Sequence, residues 1–406
     1  MSKINTDKEK IDELLERGVE KIYPGKDELK KKLFSGERLR LYCGFDPSAS
    51  SLHIGHAILI NKLSQFQELG HDVIFLIGDF TGMIGDPTDK AAVRAKLTRE
   101  EVLKNCKNYK KQASKIIDFK GRNKAVVKYN SKWSDKLTFK DLIELSSHFT
   151  VQQMIQRDMF QKRLSDEKPI YLHEFLYPLA QGYDSVVMDV DLEIGGNDQM
   201  FNMMAGRDLM KALGMKNKFV MTLKLLADEQ GKKMGKSEGN AVFLDQQPED
   251  MYGKVMSWMD GVIGEAFELC TKLPINEVQE IKKDLINNKA NPRDLKMKLS
   301  FEIVKLLKSE KEAKAGEEYF IKTIQNKEVP DEVAEIKYDK EKALIVELLV
   351  DAKLAPSKGE ARRLIQQGAV KVDGKIINDI NREVKIERDG VLLQKGKRGF
   401  VKIILK

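Results

Sequence analysis

The sequence predicts an α/β chain that opens with a parallel sheet, continues with a mostly helical part and ends in a small α+β module. Three observations support this prediction. Strand, helix and strand patterns follow one another between Leu39 and Ile77. From Gln246 to about Lys327 the apolar residues recur almost entirely at helical spacing. Near the end of the chain, Asp373-Gly374 stands between β-branched runs, which is a hairpin signal.

The first strand–helix–strand unit predicts where a ligand would bind. Leu39–Phe45 (LRLYCGF) and Val73–Ile77 (VIFLI) have the composition of buried strands. Apolar residues recur at helical spacing over His53–Leu69, and Gly70 ends that helix. Such a unit places its strands side by side and parallel, with a right-handed crossover. The loop after the first strand, Asp46–Ser51, is then the usual position for a phosphate.

The remaining elements follow in chain order. Helical patterns cover Glu100–Phe119 and Phe139–Leu164. A strand-like run, Ser185–Ile194, opens onto Gly195–Gln199, and a helix then continues through Leu213. Dense charge and Pro330 predict a linker over 329–340, and the final module contains a helix over Ser357–Gln367.

Composition indicates a globular chain of two or three domains. Apolar residues make up 41% of the 406 residues and charged residues 33%. The sequence contains no apolar run of about 18 residues, and its N-terminus lacks the apolar stretch of a secretory signal. We therefore expect a cytoplasmic protein that does not associate with a membrane.

The cysteine content and the charge distribution further limit the kinds of protein that this chain could be. The three cysteines, Cys43, Cys106 and Cys270, are too few and too far apart for a disulfide framework or a four-cysteine zinc site. The net charge is +8, and +6 of it lies in Glu341–Lys406, with 15 Lys and Arg against 9 Asp and Glu. This basic module suggests an anionic partner such as nucleic acid, although a solvated charged face would show the same excess.

Two histidines at the start of the first predicted helix suggest phosphate chemistry. His53 and His56, in His53-Ile54-Gly55-His56, are three residues apart and share one helical face. Both can reach a phosphate at the helix N-terminus, where the helix dipole also attracts anions. Gly55 leaves the backbone open to the ligand. Two unrelated surface histidines are the alternative interpretation.

A second motif lies about 180 residues later. Gly231–Asn240 (GKKMGKSEGN) is rich in glycine and lysine. Ammonium groups on such a loop suit a transition state in which negative charge grows on a leaving pyrophosphate. Taken alone, the motif is also common in ordinary loops.

Together the two motifs resemble the HIGH and KMSKS signatures of class I aminoacyl-tRNA synthetases. The second is represented by Lys233-Met234-Gly235-Lys236-Ser237, in which Gly235 replaces the first serine while both lysines are kept. Further segments narrow the resemblance to the bacterial type of tyrosyl-tRNA synthetase. These segments are Tyr42–Pro47, Gly85–Pro87, Tyr177–Asp184 and Ile194–Gln199. Ser48 stands where that family often has threonine, so the hydroxyl is retained.

The resemblance implies roles for individual residues. Residues that would bind tyrosine are Tyr42, Asp86, Tyr177, Gln181, Asp184 and Gln199. Residues that would contact ATP are Gly44, Asp46, Ser48, His53, Gly55, His56, Gly196, Asp198, Lys233, Lys236 and Ser237. Residues that would act in catalysis are His53, His56, Lys233, Lys236, Lys90 and Arg94. Trp133 and Trp258 are expected to pack in the core without a role.

The resemblance also implies the domains and partners. It predicts a Rossmann-like catalytic domain with a dimerisation insertion over 1–228, and the lysine loop with an α-helical anticodon-side domain over 229–328. After the linker, it predicts an RNA-binding domain over 341–406. It implies tRNA(Tyr), L-tyrosine and ATP as partners, Mg²⁺ brought by the nucleotide, no zinc or other metal held by the protein, and a homodimer with Phe149–Leu164 at its interface.

Three other functions are compatible with part of the sequence. A nucleotidyltransferase uses the same His-x-Gly-His helix but would not need the pair Tyr42 and Asp184 or a C-terminal RNA module. A tryptophan-specific relative would lack a carboxylate aimed at a phenol hydroxyl. An RNA-binding protein with a degenerate nucleotide fold would not need intact signature histidines and lysines.

Overall fold

A computed structural model describes residues 3–88, 96–227, 241–326, 333–396 and 399–406. The chain divides into two compact units, Met1–Ala313 and Lys314–Lys406. The first contains a six-stranded sheet and a helical region, and the second contains a small β-rich fold.

The sheet of the first unit is parallel except at one edge. Its strand order is β1-β6-β5-β2-β3-β4, and β1 is the antiparallel edge strand. From β2 the chain proceeds one way to β3 and β4, whereas β5 and β6 lie on the other side of β2. Ligands of open α/β sheets bind at such a switch point, outside the carboxyl ends of the strands. The strands are β1 (Val19–Tyr23), β2 (Arg40–Phe45), β3 (Asp72–Ile77), β4 (Val126–Tyr129), β5 (Leu192–Gly196) and β6 (Phe219–Leu223).

Helices cover the sheet and fill the connections of the first unit. Those up to β6 are α1 (Lys8–Glu16), α2 (Lys26–Phe34), α3 (Ile54–Glu68), α4 (Thr81–Ile84), α5 (Arg99–Cys106), α6 (Tyr109–Ala113), α7 (Ser131–Ser134), α8 (Phe139–Ser146), α9 (Val151–Ile155), α10 (Asp158–Ser165), α11 (Leu172–Met188) and α12 (Met200–Ala212). Those after β6 are α13 (Pro248–Met256), α14 (Ile263–Cys270), α15 (Ile275–Ile286), α16 (Pro292–Leu307) and α17 (Glu310–Phe320), which crosses into the second unit. The predicted helical part is confirmed over its described residues.

The predicted strand–helix–strand unit is confirmed as β2, α3 and β3. The two strands pair in parallel, from Arg40 opposite Asp72 to Phe45 opposite Ile77. Leu41 and Phe75 are fully buried between the layers. Gly70 adopts φ +97°, a backbone conformation that favours glycine, and it ends the turn after α3.

Two stretches predicted to be helical throughout are each interrupted. The stretch Phe139–Leu164 forms α8, α9 and α10 rather than one helix. Thr150 accepts a hydrogen bond from the Gln153 backbone N–H and thereby starts a new helix. The stretch Glu100–Phe119 likewise divides into α5 and α6.

The strand predicted over Ser185–Ile194 is wrong in its first half. Helix α11 continues through Ser185 to Met188, and β5 begins only at Leu192. Asp189, with φ 45°, takes the left-handed conformation that ends the helix. Ser185 therefore lies on a helix face that packs against the sheet, where it is fully buried.

The second unit is a small α+β fold. Five strands form a sheet in the order β10-β9-β12-β13-β7, and β11 pairs with β8. The predicted hairpin is confirmed: β9 and β10 are antiparallel, and Asp373 and Gly374 have φ of 44° and 79°. The elements are β7 (Ala334–Tyr338), β8 (Lys342–Leu344), α18 (Ile345–Asp351), α19 (Lys358–Gln366), β9 (Val370–Val372), β10 (Lys375–Ile376), β11 (Glu383–Lys385), β12 (Val391–Lys395) and β13 (Gly399–Leu405).

The linker predicted over 329–340 needs a correction in its described part. Strand β7 lies within this range and pairs in parallel with β13, from Ala334 opposite Val401 to Tyr338 opposite Leu405. Dense charge suggested an unstructured connection, but an edge strand also carries charged residues. These residues belong to the sheet of the second unit.

We predict that protonation of His71 destabilises the first unit. His71 is 1% exposed, and its Nδ1 accepts the Leu39 backbone N–H at 3.2 Å. Burial, reinforced by Arg38, lowers its pKa from 6.5 to about 4. Between these values the unfolded chain binds more protons than the folded chain, so stability falls as the pH drops from 6.5 towards 4. The loss should reach about 3 kcal/mol.

Urea unfolding followed by circular dichroism at several pH values measures this effect. In His71→Asn, the amide oxygen replaces Nδ1 as an acceptor but does not titrate. The variant should lose about 3 kcal/mol less than the original chain between pH 6.5 and 4. Parallel pH profiles for the two proteins would contradict the prediction.

Candidate active site

The carboxyl ends of the central strands bring most of the described candidate residues to one edge of the sheet. Gly44 and Asp46 lie at the end of β2, Asp86 follows β3, and Gly196 ends β5. Helix α11 contributes Tyr177, Gln181 and Asp184, which are spaced four and three residues apart and so share one face.

His53 and His56 are held at the N-terminus of α3 by the backbone. His53 Nδ1 accepts the Gly55 N–H at 3.1 Å, and His56 Nδ1 accepts the His53 N–H at 3.1 Å. Their rings are 3.8 Å apart. Burial, together with His53, lowers the pKa of His56 well below its usual value, so this imidazole is neutral at pH 7. A neutral ring whose Nδ1 accepts carries its proton on Nε2 and can donate it to an anion.

Tyr42 and Asp184 are both buried but have different partners. The Tyr42 hydroxyl hydrogen-bonds with Ser185 Oγ at 2.9 Å. Asp184 accepts hydrogen bonds from Trp133 Nε1 at 2.7 Å and from Asn130 Nδ2 at 3.2 Å. Burial raises the pKa of both groups well above their usual values. The structure gives no direct hydrogen bond between the two.

Asp46 connects the strand end to α11. It accepts hydrogen bonds from Thr81 Oγ1 at 2.7 Å and from the Tyr177 hydroxyl at 2.9 Å. A Cβ at Gly78 would lie 1.9 Å from Asp46 Oδ1, so only glycine allows this approach. A residue assigned to ATP and one assigned to tyrosine are thus in contact.

Asp86 and Gln199 also meet. Asp86 accepts from Gln199 Nε2 at 2.6 Å, from the Thr88 backbone N–H at 2.9 Å and from the Thr88 hydroxyl. The amide oxygen of Gln199 accepts from Asn202 at 2.9 Å. This network fixes a carboxylate beside the end of β5.

Gln181 joins a different cluster from the one expected. Its amide nitrogen donates to Glu193 Oε1 at 2.9 Å, and no hydrogen bond to Asp86 or Tyr177 is present among the described residues. Glu193 also accepts from Ser185 and from the ammonium group of Lys218. In this conformation the Gln181 side chain is turned to the interior.

The residues expected along the nucleotide differ in exposure. Gly44, Ser48 and Asp198 are exposed, whereas Gly196 is buried. A Cβ at Gly196 would lie 2.6 Å from Asp198 Oδ1, and one at Gly55 would lie 2.9 Å from the His53 ring. Both glycines therefore stand where the backbone is closely approached.

Five predicted residues lie outside the described residues: Lys90, Arg94, Lys233, Lys236 and Ser237. The chain that follows the lysine motif is described from Ala241. Val242 accepts the Ile54 N–H at 2.8 Å, and the Leu244 N–H donates to Leu52 at 2.8 Å. The segment that directly follows the lysine motif in the sequence is therefore hydrogen-bonded to the start of the histidine helix.

Sequence reasoning missed several polar residues of this region: Thr81, Asn130, Trp133, Ser185, Glu193 and Lys218. Trp133 was expected to pack without a role, but it donates to Asp184. Trp258 is buried in the helical region, as expected. One signal was available: Glu193 is a charged residue within an otherwise apolar strand, and buried charges need partners.

In the described ranges, no group of three or more His, Cys, Asp or Glu residues could hold a metal ion. The helices of the same ranges include none long and apolar enough to cross a membrane.

Comparisons with known proteins agree with the geometry. The family model described as tRNA synthetases class I (W and Y) matches residues 35–325, and that of the tyrosine--tRNA ligase SYY-like C-terminal domain matches 325–403. A tyrosine--tRNA ligase of Moorella thermoacetica is 43% identical over 394 residues, covering 96% of this chain and 94% of the relative. That of Thermotoga maritima is 43% identical over 392 residues, covering 96% of each.

A solved structure supports the fold. The tyrosyl-tRNA synthetase of Archaeoglobus fulgidus, crystallised with L-tyrosine, superposes with a TM-score of 0.59 at 20% identity. The superposition covers 76% of this chain and 99% of the Archaeoglobus fulgidus chain.

Proposed function

The chain belongs to the tyrosine–tRNA ligases, within the class I tRNA synthetases, and on this premise we propose how its residues share the reaction. It is an aminoacyl-tRNA synthetase: it activates L-tyrosine with ATP to tyrosyl-adenylate and pyrophosphate, then transfers tyrosine to the 3′ end of tRNA(Tyr). The full-length relatives rule out the nucleotidyltransferase, the tryptophan-specific enzyme and the non-enzymatic RNA-binding protein.

The observation that carries the residue assignment is the meeting of two groups at one sheet edge. Two histidines whose Nδ1 atoms accept backbone N–H groups stand at the start of α3, and buried polar side chains line β2 and α11. We assign the first group to phosphates and the second to tyrosine.

Tyrosine recognition is proposed at two ends of the substrate. Tyr42 and Asp184 would meet the phenol hydroxyl. Asp86 and Tyr177 would bind the ammonium group, with Gln181 after its side chain leaves Glu193. Gln199, held by Asp86 at 2.6 Å, would lie near the carboxylate.

The activation step needs charge stabilisation and no catalytic base. The tyrosine carboxylate is already ionised when it attacks the α-phosphorus of ATP. His53 and His56 would donate their Nε2 protons to phosphate oxygens as charge grows in the transition state. Lys233, Lys236, Lys90 and Arg94 are proposed to neutralise the leaving pyrophosphate, while Gly44, Asp46, Ser48, Gly55, Gly196, Asp198 and Ser237 line the nucleotide.

Mg²⁺ is proposed to enter with the nucleotide. Mg²⁺ is commonly bound by substrate phosphates with only one or two protein carboxylates. Asp198, with its exposed carboxylate at the end of β5, is of a kind that fits this requirement. The ion would neutralise phosphate charge, and the histidines and lysines would complete the stabilisation.

ATP–pyrophosphate exchange with each of the twenty amino acids tests the activity. Exchange should depend on tyrosine and on Mg²⁺. Exchange driven equally by another amino acid, or independent of any amino acid, would overturn the substrate assignment.

The second unit is proposed to bind tRNA, because Glu341–Lys406 within it carries +6 of the chain's net charge of +8. We predict that a protein ending at Asn326, which removes β7 together with β13, keeps tyrosine-dependent pyrophosphate exchange. Its kcat/KM for tRNA should fall roughly 10- to 100-fold and depend less on salt, since phosphate contacts are lost. Exchange in the same truncated protein is the control. Normal tRNA charging would remove RNA binding from this unit.

A homodimer is proposed through the segment between Val126 and Val187, which contains the predicted interface Phe149–Leu164 and extends beyond it. Eight of the sixteen exposed large apolar side chains of the described residues lie in this segment, among them Phe139 and Leu172 at 78% and 83% exposure. Such a concentration marks an interface, and a second copy fits because soluble oligomers are mostly homomeric. We also propose that the protein acts in the cytoplasm.

Sedimentation should give twice the mass of one chain. The double variant Phe139→Asp/Leu172→Asp should sediment as a monomer at micromolar concentration, because charges would be buried in the interface. Ile286→Asp is the matched control, since Ile286 is 80% exposed but lies on α15. A double variant that remains dimeric would contradict this interface.

A further inference from the structure

An ion pair is buried directly behind the proposed tyrosine pocket. Lys218, immediately before β6, donates to Glu193 of β5, and both are at most 2% exposed. A buried ion pair rarely adds net stability, because removing two charges from water is costly. Such pairs are better explained when they impose a specific arrangement on their neighbours.

Ser185 connects this ion pair to Tyr42 through hydrogen bonds. Ser185 Oγ is 2.9 Å from Lys218 Nζ, 3.3 Å from Glu193 Oε2 and 2.9 Å from the Tyr42 hydroxyl. All four side chains are buried.

The chemistry of these groups fixes the direction of each hydrogen bond. An ammonium group can only donate, so Ser185 accepts from Lys218. A carboxylate can only accept, so Ser185 uses its single proton for Glu193. With that proton occupied, Tyr42 must donate to Ser185. Burial raises the pKa of Tyr42, so its hydroxyl keeps the proton that it donates.

We propose that Lys218, Glu193 and Ser185 turn the proton of Tyr42 away from the pocket, so that Tyr42 accepts the hydrogen bond of the substrate phenol. The three residues are positioning residues, and they make the site select a substrate that donates a proton at the para position. This inference rests on the proposed role of Tyr42 in the tyrosine pocket.

Asp184 would complete a series of hydrogen bonds that all run in the same direction from donor to acceptor. Each of its oxygens accepts one hydrogen bond, from Trp133 or from Asn130. Because the phenol has a single proton and donates it to Tyr42, the proposal requires Asp184 to meet the phenol oxygen as a protonated carboxyl; burial raises the pKa of Asp184, which acts in that direction. The phenol then donates to Tyr42, Tyr42 to Ser185, and Ser185 to Glu193, so that every oxygen has a partner.

Two tyrosine analogues of similar size test whether the substrate donates the hydrogen bond to Tyr42. 4-Aminophenylalanine donates at the para position, whereas 4-fluorophenylalanine cannot. In the unmodified enzyme, kcat/KM for pyrophosphate exchange should favour the amino analogue by about 100-fold or more, as expected when a buried polar group is left unpaired. A ratio near one would overturn the proposal.

Variants of the cluster provide the decisive comparison. Lys218→Met/Glu193→Gln removes both charges together, which avoids an unpaired buried charge. The ratio between the analogues should fall at least about tenfold, because the Tyr42 proton is no longer directed. Ser185→Ala should lower the ratio in the same sense and serves if the double variant does not fold. Ser300→Ala, which removes another fully buried serine hydroxyl on α16, should leave the ratio unchanged.

If Lys218, Glu193 and Ser185 had only a structural role, their replacement would lower kcat/KM for both analogues equally and leave the ratio unchanged. An unchanged ratio in Ser185→Ala and in the double variant would therefore overturn the inference. Tyr42→Phe separates this failure from that of the proposed function. If Tyr42→Phe leaves the preference for tyrosine over phenylalanine intact, the pocket assignment itself is wrong.

Discussion

Replacing Asp184 by asparagine is expected to abolish most of the preference for tyrosine over phenylalanine. Both oxygens of Asp184 already accept hydrogen bonds, from Trp133 and from Asn130. An amide offers only one acceptor, so its NH₂ group would face one of these donors and the polar end of the pocket would rearrange.

The size of this effect follows from the way in which a polar pocket rejects phenylalanine. A site built to bind a hydroxyl rejects a substrate without one, because buried polar groups lose their partners. Synthetases of this family are themselves the established example, with rejection of phenylalanine by about 10⁵-fold without editing, a value taken from the family and not from this geometry. Asp184→Asn should reduce that ratio by about 10²-fold or more, mainly through a lower kcat/KM for tyrosine.

Pyrophosphate exchange with tyrosine and phenylalanine measures the ratio. Asp189→Asn is the control, because Asp189 ends the same helix on the exposed side. A ratio that stays within about threefold of the original in Asp184→Asn would show that Asp184 does not recognise the phenol.

His56→Asn should slow adenylate formation about 10²- to 10³-fold with little change in tyrosine affinity. The amide oxygen of asparagine can replace Nδ1 as acceptor of the His53 N–H, so α3 keeps its N-terminal cap. The variant loses the Nε2–H donor. Loss of one donor that acts mainly in the transition state lowers kcat by about this factor.

Single-turnover kinetics and equilibrium binding separate the two effects. In His56→Gln an N–H donor reaches further along the side chain, so this variant should retain more activity than His56→Asn. If tyrosine affinity falls as much as the rate in either variant, His56 contributes to the pocket and not to phosphate stabilisation.

The local pattern of apolar residues was sufficient to predict the helix and strands that position the site. The β2–α3–β3 unit could be predicted because each element has its own periodicity and a clear stop such as Gly70. The signature residues were identified by motif resemblance. The described signature residues, His53 and His56, lie at the carboxyl edge of the sheet, as the parallel order of β2 and β3 requires.

The missed features depend on contacts between distant segments. The pattern over Ser185–Met188 suits a strand or a helix equally, and only packing of α11 on the sheet decides. Glu193 lies on β5 and Lys218 immediately before the neighbouring strand β6, so their pairing can be predicted only when the sheet order is known. Strand β7 is recognisable only through its pairing with β13, more than sixty residues later.

The hydrogen bond from Trp133 to Asp184 gives the pocket an optical signal of its own. The chain has two tryptophans, and a Trp258→Phe variant would leave one indole, hydrogen-bonded to the Asp184 carboxyl group that is proposed to meet the phenol. Arrival of a substrate at that carboxylate would alter the polarity around the indole and hence its emission. Excitation at the red edge of indole absorption, where the phenol of the ligand does not absorb, would then follow amino-acid arrival in real time, without label or nucleotide.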